Sequence, residues 1–518
     1  MKPSGTVYLV GAGPGSPGLL TLRGAELLRR ADVVVYDALV NAELLHMAPP
    51  GAEIIFGGKR SGEHSIPQEE LNQLLIQRAR SGKTVVRLKG GDPYVFGRGG
   101  EEACQLVAAR IPFEVVPGVS SFMGAPSYAG IPLTHRDFAS CLTIITGHHD
   151  PVEGAPGIDW PHLAHTPGTI VVMMGTAHIG EIASILVANG KQEQTPVALI
   201  RWGTTGHQQT ISGTLATIAA EIARSQFAPP TIAVIGEVVN LRSKLNWFEN
   251  RPLFGQRIVV TRSTNQAGST TEKLSELGAD VIEIPTIRFE NTTRTNDFVD
   301  ALVELNSYDW LIFTSPNGVR FFFDLFFKRF QDLRDLGGAR IAAVGPATAK
   351  KLKELHLQVD LMPEEAIGAE IAKAFAKNET IENLKMCILR AEVANPDLPM
   401  ALEALGAIVD DIACYQTLPV TDDITGSAAR FLESGADWVL FSSGSTVEHF
   451  HSRFNLPLLL KKFPQLKIAS IGPETSKVLQ SIKVKPHLEA RTHTMDGLIA
   501  SLLSHSSAVV STQTESAP

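Results

Sequence analysis

Three short motifs in the second half of the chain recur at nearly one spacing, a pattern that a single undivided core does not produce. Arg262 of VVTRS is followed 128 residues later by Arg390 of ILRAE, and Thr314 of FTSPNGV at the same spacing by Ser442 of FSSGSTV. Gly345 of IAAVGPATAKKL is matched by Gly472 of IASIGPETSKVL after 127 residues. Repetition at a fixed spacing marks duplicated structural units. Short β-branched runs alternate with amphipathic stretches throughout this region, so residues 257–503 should form two similar α/β lobes with a ligand cleft between them.

The first half alternates in the same way. TVYLV, DVVVYD, TVVRL, FEVVP, LTIIT, TIVVMM and PVALI are separated by helical patterns such as TLRGAELLRRA. This argues a second α/β domain with a largely buried sheet and with its informative residues in the turns after the strands. A seam falls in SKLNWFENRPLFGQ, residues 243–256, between an apolar strand and RIVVTRS. We place a boundary near Arg251, giving domains 1–250 and 251–504. The Ser/Thr-rich end from His505, HSSAVVSTQTESAP, reads as a disordered tail at 505–518.

Composition narrows the partners. The net charge is −8 over 518 residues, which speaks against general binding of a phosphate backbone. The four cysteines, Cys104, Cys141, Cys387 and Cys414, are far apart and lack CxxC spacing. Neither a disulfide framework nor a thiolate metal site is indicated, and a reducing cytoplasm fits. The opening MKPSGTVYLVGAGPG breaks its apolar run at Gly11, too early for an export signal. The charge-free stretch Val115–Thr134 contains Pro117, Pro126 and Pro132 and reads as buried loops rather than a membrane helix.

Three glycine-rich turns carry the chemistry. Val10-Gly11-Ala12-Gly13-Pro14-Gly15 leaves a strand and enters a helix. As a dinucleotide fingerprint, with Asp37 as the ribose-binding acid, it is poor: Ser16 stands where a third glycine is expected and Pro14 removes an amide donor. The run Arg87-Leu88-Lys89-Gly90-Gly91-Asp92-Pro93, continuing through Val95 and Arg98 to Gly100, exposes backbone at the carboxyl edge of a sheet, where open α/β sheets bind ligands. Val116-Pro117-Gly118-Val119-Ser120-Ser121 and Pro132-Leu133-Thr134-His135-Arg136-Asp137 add hydroxyls and charge after further strands, although Pro-Gly before Ser also suits a plain turn with a helix cap.

Taken jointly from Val7 to about Phe248, these turns, Gly58-Lys59-Arg60, Met173-Met174-Gly175, Pro196-Val197-Ala198 and the closing LNWF resemble the uroporphyrinogen-III C-methyltransferases of the tetrapyrrole methylase family. The resemblance implies a two-lobed domain with S-adenosylmethionine in the cleft. It carries donor contacts onto Pro14, Gly90, Gly91, Asp92, Val95, Ser120, Ser121, Met174 and Gly203, and makes Asp37 the proton acceptor and Lys59 the donor. Two segments depart from the family pattern, VSS for the usual Ile-Thr-Ala and Val95 for the commoner Ile, and both keep the chemistry of the contact. Methylating a pyrrole carbon requires loss of a ring proton, which a placed carboxylate can take. A carboxylate-rich tetrapyrrole needs a local cationic rim in an acidic protein, for which Lys59, Arg60, Arg87, Lys89, Arg98 and Arg136 are available.

From about Gly255 to Leu503 the chain resembles uroporphyrinogen-III synthase through VVTRS, TSPNGV, the paired GPAT and GPET turns, ILRAE and the segment DIACYQT at 411–417. That resemblance implies closure of hydroxymethylbilane with inversion of its last ring. It makes Tyr415 the donor to the leaving hydroxyl, with Ser443 or Ser445 and Thr475 binding carboxylates. The aromatic run RFFFDLFFKRF, with Phe322, Phe323, Phe326, Phe327 and Phe330 at helical spacing, reads as a core-facing helix rather than a pigment site. The combined expectation is a bifunctional enzyme that makes uroporphyrinogen III and methylates it twice to precorrin-2, feeding sirohaem or cobalamin. It would act without nucleic acid, membrane or metal, and dimerise through the methylase half. Two rivals stay open: a methylase of a later corrin intermediate, and a second half that only binds tetrapyrrole.

Overall fold

The computed structural model describes residues 4–58, 66–147, 158–261, 264–364, 368–423 and 425–514. They form two compact units, Met1–Ile284 together with Asp422–Pro518, and Pro285–Thr421. The fold is α/β throughout.

The first unit holds three five-stranded sheets. One takes the order β3-β2-β4-β1-β5, from β1 (Val7–Gly11), β2 (Val33–Tyr36), β3 (Glu53–Phe56), β4 (Val85–Lys89) and β5 (Phe113–Val116), all parallel. Every residue of β2 and β4 is buried. Val10, Val34 and Leu88 pack on one face and Leu9, Val33 and Val85 on the other, so these strands read as continuous apolar runs. A second sheet takes the order β6-β7-β10-β8-β9, from β6 (Leu142–Thr146), β7 (Thr169–Met173), β8 (Pro196–Arg201), β9 (Gln209–Thr214) and β10 (Thr231–Ile235). It is mixed: β10 runs antiparallel to both β7 and β8.

The third sheet, β12-β11-β18-β19-β20, comprises β11 (Arg257–Val260), β12 (Asp280–Glu283), β18 (Trp438–Phe441), β19 (Lys467–Ser470) and β20 (Leu488–Glu489). The second unit holds the fourth, β13-β17-β16-β14-β15, from β13 (Ile287–Asn291), β14 (Trp310–Phe313), β15 (Arg340–Ala343), β16 (Lys385–Ala391) and β17 (Ile408–Pro419). The repeat is visible in the connectivity, since β12-β11-β18-β19 and β17-β16-β14-β15 are the same parallel order. Each copy opens a helix on the repeated hydroxyl motif. Ser315 caps Pro316–Arg329 by accepting from Gly318 N, and Ser443 caps Gly444–Phe454 by accepting from Thr446 N.

The aromatic helix faces the core as its spacing requires: Phe321, Phe322, Phe323 and Phe326 are buried, while Phe327 lies on the outer side. The tail departs from expectation. A helix runs Met495–Thr514, so residues 505–514 continue it instead of forming a disordered end, and residues 515–518 lie outside the described ones. Leu498, Ile499 and Leu502 anchor its first turns in the core. Once a helix is nucleated, Ser, Ala, Val and Gln extend it at small cost without any apolar period of their own. No helix among the described residues is long and apolar enough to cross a membrane.

Phe322→Ala should destabilise the Pro285–Thr421 unit by about 3–5 kcal/mol, whereas Phe327→Ala should cost under about 0.5 kcal/mol. Urea unfolding of the two variants checks this, and equal losses would contradict the burial assignment.

Candidate active site

The carboxyl ends of β1, β4 and β5 meet through glycine. A Cβ on Gly11 would lie 2.6 Å from Gly118 Cα, and one on Gly118 would lie 2.3 Å from the Gly91 carbonyl oxygen. Gly13 and Gly91 exchange backbone hydrogen bonds of 3.2 and 2.8 Å. Asp92 ties the same turns together, its Oδ1 accepting from Tyr94 N at 2.8 Å and its Oδ2 from Gly118 N at 3.0 Å. The steric need for glycine therefore sits at Gly11 and Gly118. At Gly91 the need is conformational, because its φ is +68° while the nearest atom to an added Cβ is 3.6 Å away.

These turns open onto a cavity of about 850 Å³, with a second wall from the ends of β7, β8 and β10. Seven expected donor contacts line it together: Pro14, Gly90, Gly91, Val95, Ser121, Met174 and Gly203. The other two do not. Asp92 has both carboxylate oxygens committed to backbone, and Ser120 is buried at the start of the helix Ser121–Tyr128. Gly203 is sterically obligatory, since a Cβ there would lie 2.3 Å from Ala125 Cβ.

Four non-glycine residues on the cavity wall hold left-handed backbone: Phe96, Met174, Trp202 and Thr204, at φ 51, 55, 50 and 70°. Elsewhere most such residues mark ordinary helix ends, as Gln226 and Asn455 do. For β-branched Thr204 this conformation is costly and persists only where surroundings enforce it. Its amide donates to Gln208 Oε1 at 2.8 Å, and its hydroxyl accepts from Ser16 N at 3.0 Å. Thr204 and Trp202 were not among the residues singled out from sequence, because nothing in the string marks a left-handed threonine.

Beside the cavity lies a buried ionic network. Arg87, Lys89 and Glu102 are 3, 2 and 1% exposed. Glu102 Oε1 accepts from Lys89 Nζ at 2.9 Å and from Arg87 Nε at 3.2 Å, and Arg87 Nη2 donates to Asp37 Oδ1 at 2.5 Å. Burial and the neighbouring Arg87 push the Lys89 ammonium below its ordinary value. Arg87 and Lys89 are thus not part of a solvent-facing rim, because β4 is central in a sheet covered on both faces and its cations must be paired internally. Glu102 went unrecognised, although its place with Ala103 and Leu106 on the buried face of the helix Gly99–Ala108 was a usable signal. Arg98 and Arg136 are exposed, Arg98 pairing with Glu101 at 2.6 Å. Lys59 and Arg60 lie outside the described residues.

In the second unit, Tyr415 is 6% exposed on β17, stacked on Phe321 and edge-on to Phe289. Its hydroxyl meets Ser315 Oγ at 3.0 Å, and burial pushes the phenol's pKa above its ordinary value despite that bond. In the first unit, half-buried Ser443 and Ser445 lie 3.0 Å apart, hydroxyl to hydroxyl, at the start of Gly444–Phe454. Thr475 is buried in the first turn of Pro473–Ser481, so its side chain does not form an open carboxylate-binding surface. Among the described residues no cluster of His, Cys, Asp or Glu could hold a metal ion.

Family profiles match residues 6–219 as Tetrapyrrole (Corrin/Porphyrin) Methylases and residues 268–500 as Uroporphyrinogen-III synthase HemD. The porphyrin biosynthesis protein HemD of Ruminiclostridium josui is 38% identical over 500 residues, 96% of this chain and 98% of that protein. The chain belongs to this family of fused tetrapyrrole methylases and uroporphyrinogen-III synthases. It carries a C-methyltransferase half and a synthase half. The uroporphyrinogen-III C-methyltransferase of Bacillus subtilis is 40% identical over 382 residues, 74% of this chain and 77% of that protein. A solved uroporphyrin-III C-methyl transferase from Thermus thermophilus, complexed with S-adenyl homocysteine, is 40% identical, with 46% of this chain and 100% of that one covered at a TM-score of 0.40.

Glu43 lines the methylase cavity, where burial and the Glu283 carboxylate push its carboxyl from 4.5 up to about 8. A carboxyl raised in the folded state stabilises the fold below its unfolded value and loses that contribution as pH climbs through the folded one. Glu43→Gln should therefore match the parent protein near pH 4 and unfold at higher temperature by about pH 9, as thermal melts at the two pH values would show. A lower melting temperature at the higher pH would contradict the burial of this charge.

Proposed function

We propose that the synthase half cyclises hydroxymethylbilane to uroporphyrinogen III and that the methylase half methylates that product twice, with S-adenosylmethionine as donor, to precorrin-2. The reading rests chiefly on one observation: seven residues from five separate turns converge on a single cavity, beside a carboxylate held by a buried arginine. The cavity suits the donor. About 850 Å³ lies within the usual range for small-molecule sites, and the Gly90–Gly91 and Gly203 backbones approach it without side chains. When bound, the donor would supply an electrophilic methyl group on a sulfonium.

Asp37 is the base in this reading. One oxygen is oriented by Arg87, while the other lies 4.0 Å from Lys89 Nζ, beyond a hydrogen bond, and the side chain keeps 29% exposure. A base aimed by a third group in this way can take the pyrrole proton. Lys59 would return a proton, and Arg60, Arg98 and Arg136 would meet the substrate's carboxylates. In the synthase half, Tyr415 with Ser315 would assist departure of the bilane hydroxyl, and Ser443 and Ser445 would hold carboxylates. We further place the boundary between the halves near Arg251, assign the product to sirohaem or cobalamin formation, and expect a homodimer through the methylase half.

Supplying hydroxymethylbilane to the purified protein, with and without S-adenosylmethionine, separates this reading from its rivals. Uroporphyrinogen III should form without donor and precorrin-2 only with it. No cyclisation would leave the second half a binding module, and methylation only of a corrin intermediate would assign the first half elsewhere. Asp37→Asn should lower the methylation rate by roughly 10²–10⁴, leaving donor affinity and bilane cyclisation unchanged. Normal methylation with weak donor binding would make Asp37 a cofactor ligand instead.

A further inference from the structure

The methylase residues do not enclose the donor cavity alone. Thr271 and Ser275, from the helix Thr264–Glu276, and Asp280 and Val281, from β12, also line it, and all four belong to the synthase half. The contact with the methylase is close. A Cβ on Gly206 would lie 2.2 Å from the Ala279 carbonyl carbon, and Gly255 N donates to Gly206 O at 3.1 Å.

Gly206 sits in the loop 202–208, which also carries Gly203 and the left-handed Trp202 and Thr204 of the cavity wall. The inner part of this loop is held by the methylase, through Ser16 N to Thr204 Oγ1 at 3.0 Å and Gln208 Nε2 to Glu249 Oε1 at 2.8 Å. Its outer part is held by the synthase half, where His207 Nδ1 lies 3.1 Å from Asp280 Oδ1. Asp280 is itself fixed from behind by Arg257 Nε at 2.8 Å, and its carboxylate is 16% exposed. Strained loop conformations persist only where the surrounding structure over-determines them, and here contacts from both halves do so. One of those contacts is therefore supplied from outside the methylase.

We propose that Asp280 of the synthase half is a positioning residue for the methyl-donor cavity, acting through His207 and the loop that carries Gly203 and Thr204. This rests on reading that cavity as the donor site. Releasing His207 would let the loop sample other conformations, so the donor would have to order it on binding. The loss would fall on donor affinity and spare the methyl-transfer step.

The test uses the full chain and calorimetric titration with S-adenosylmethionine. Asp280→Asn should weaken donor binding roughly five- to twenty-fold, within the range of coupling between linked sites. KM for the donor should rise by the same factor with kcat within two-fold of the parent, and Asp280→Glu should restore most of the affinity. His207→Gln reads the same link from the methylase side, and the double variant should lose no more than either single one. Should Asp280→Asn not fold, His207→Gln against Asp280→Glu decides the matter. Donor affinity within two-fold of the parent in His207→Gln would overturn the proposal. Failure of the parent protein to bind the donor at all would instead overturn the reading of the cavity.

Discussion

Two cations on a strand that is buried on both faces set the terms for the methylase half. Arg87 and Lys89 point out of β4 into a covered sheet, and desolvating each costs several kcal/mol unless carboxylates meet them. Glu102 and Asp37 do so, and each is thereby committed to one place. Glu102 draws the helix Gly99–Ala108 onto the sheet, and Asp37 is held at the end of β2 with one oxygen aimed. Glu102 Oε2 has no hydrogen-bond partner among the described residues, so the network is held by few bonds. Removing Glu102 would leave Arg87 and Lys89 short of the one fully buried carboxylate they share, whereas Asp37 sits at the half-exposed edge of the group.

The glycines act one layer further out. Gly11, Gly91 and Gly118 let three turns touch backbone to backbone, and Gly203 lets the helix Ser121–Tyr128 approach the loop after β8. This part of the cavity wall is thus shaped by main chain, which has no rotamers to change. The left-handed Met174, Trp202 and Thr204 belong to the same design, being local strain carried by surrounding hydrogen bonds. Preorganisation of this kind shifts the cost of ordering from binding to folding.

In the synthase half, duplication explains the architecture but not the chemistry. Both copies keep the strand order and a serine cap after the strand pair β14 and β18, because these are what a parallel unit needs to turn into its helix. The tyrosine beside Ser315 belongs to one copy only, where β17 extends twelve residues and carries Tyr415 between Phe289 and Phe321. The repeat therefore accounts for the shared scaffold, while the Tyr415–Ser315 hydroxyl pair is a feature of one copy alone.

The sequence alone was enough for the α/β class, the repeat, the aromatic core helix and most of the turns that line the cavity, since each rests on local pattern: period, cap, or glycine where a chain must turn. It also carried Asp37 and Tyr415 as candidates by motif. It did not reveal that Arg87 and Lys89 face inward, that Asp92 accepts from two backbone amides, that Thr475 is buried, or that the terminal segment continues a helix. Nor did it reveal that Thr204 takes a left-handed backbone or that Asp280 reaches His207. Those outcomes depend on which strand lies central in a sheet and which distant loops come within a few ångströms. A charged side chain is identical in the string whether it meets water or a carboxylate, and only packing, through the cost of desolvation, decides between them.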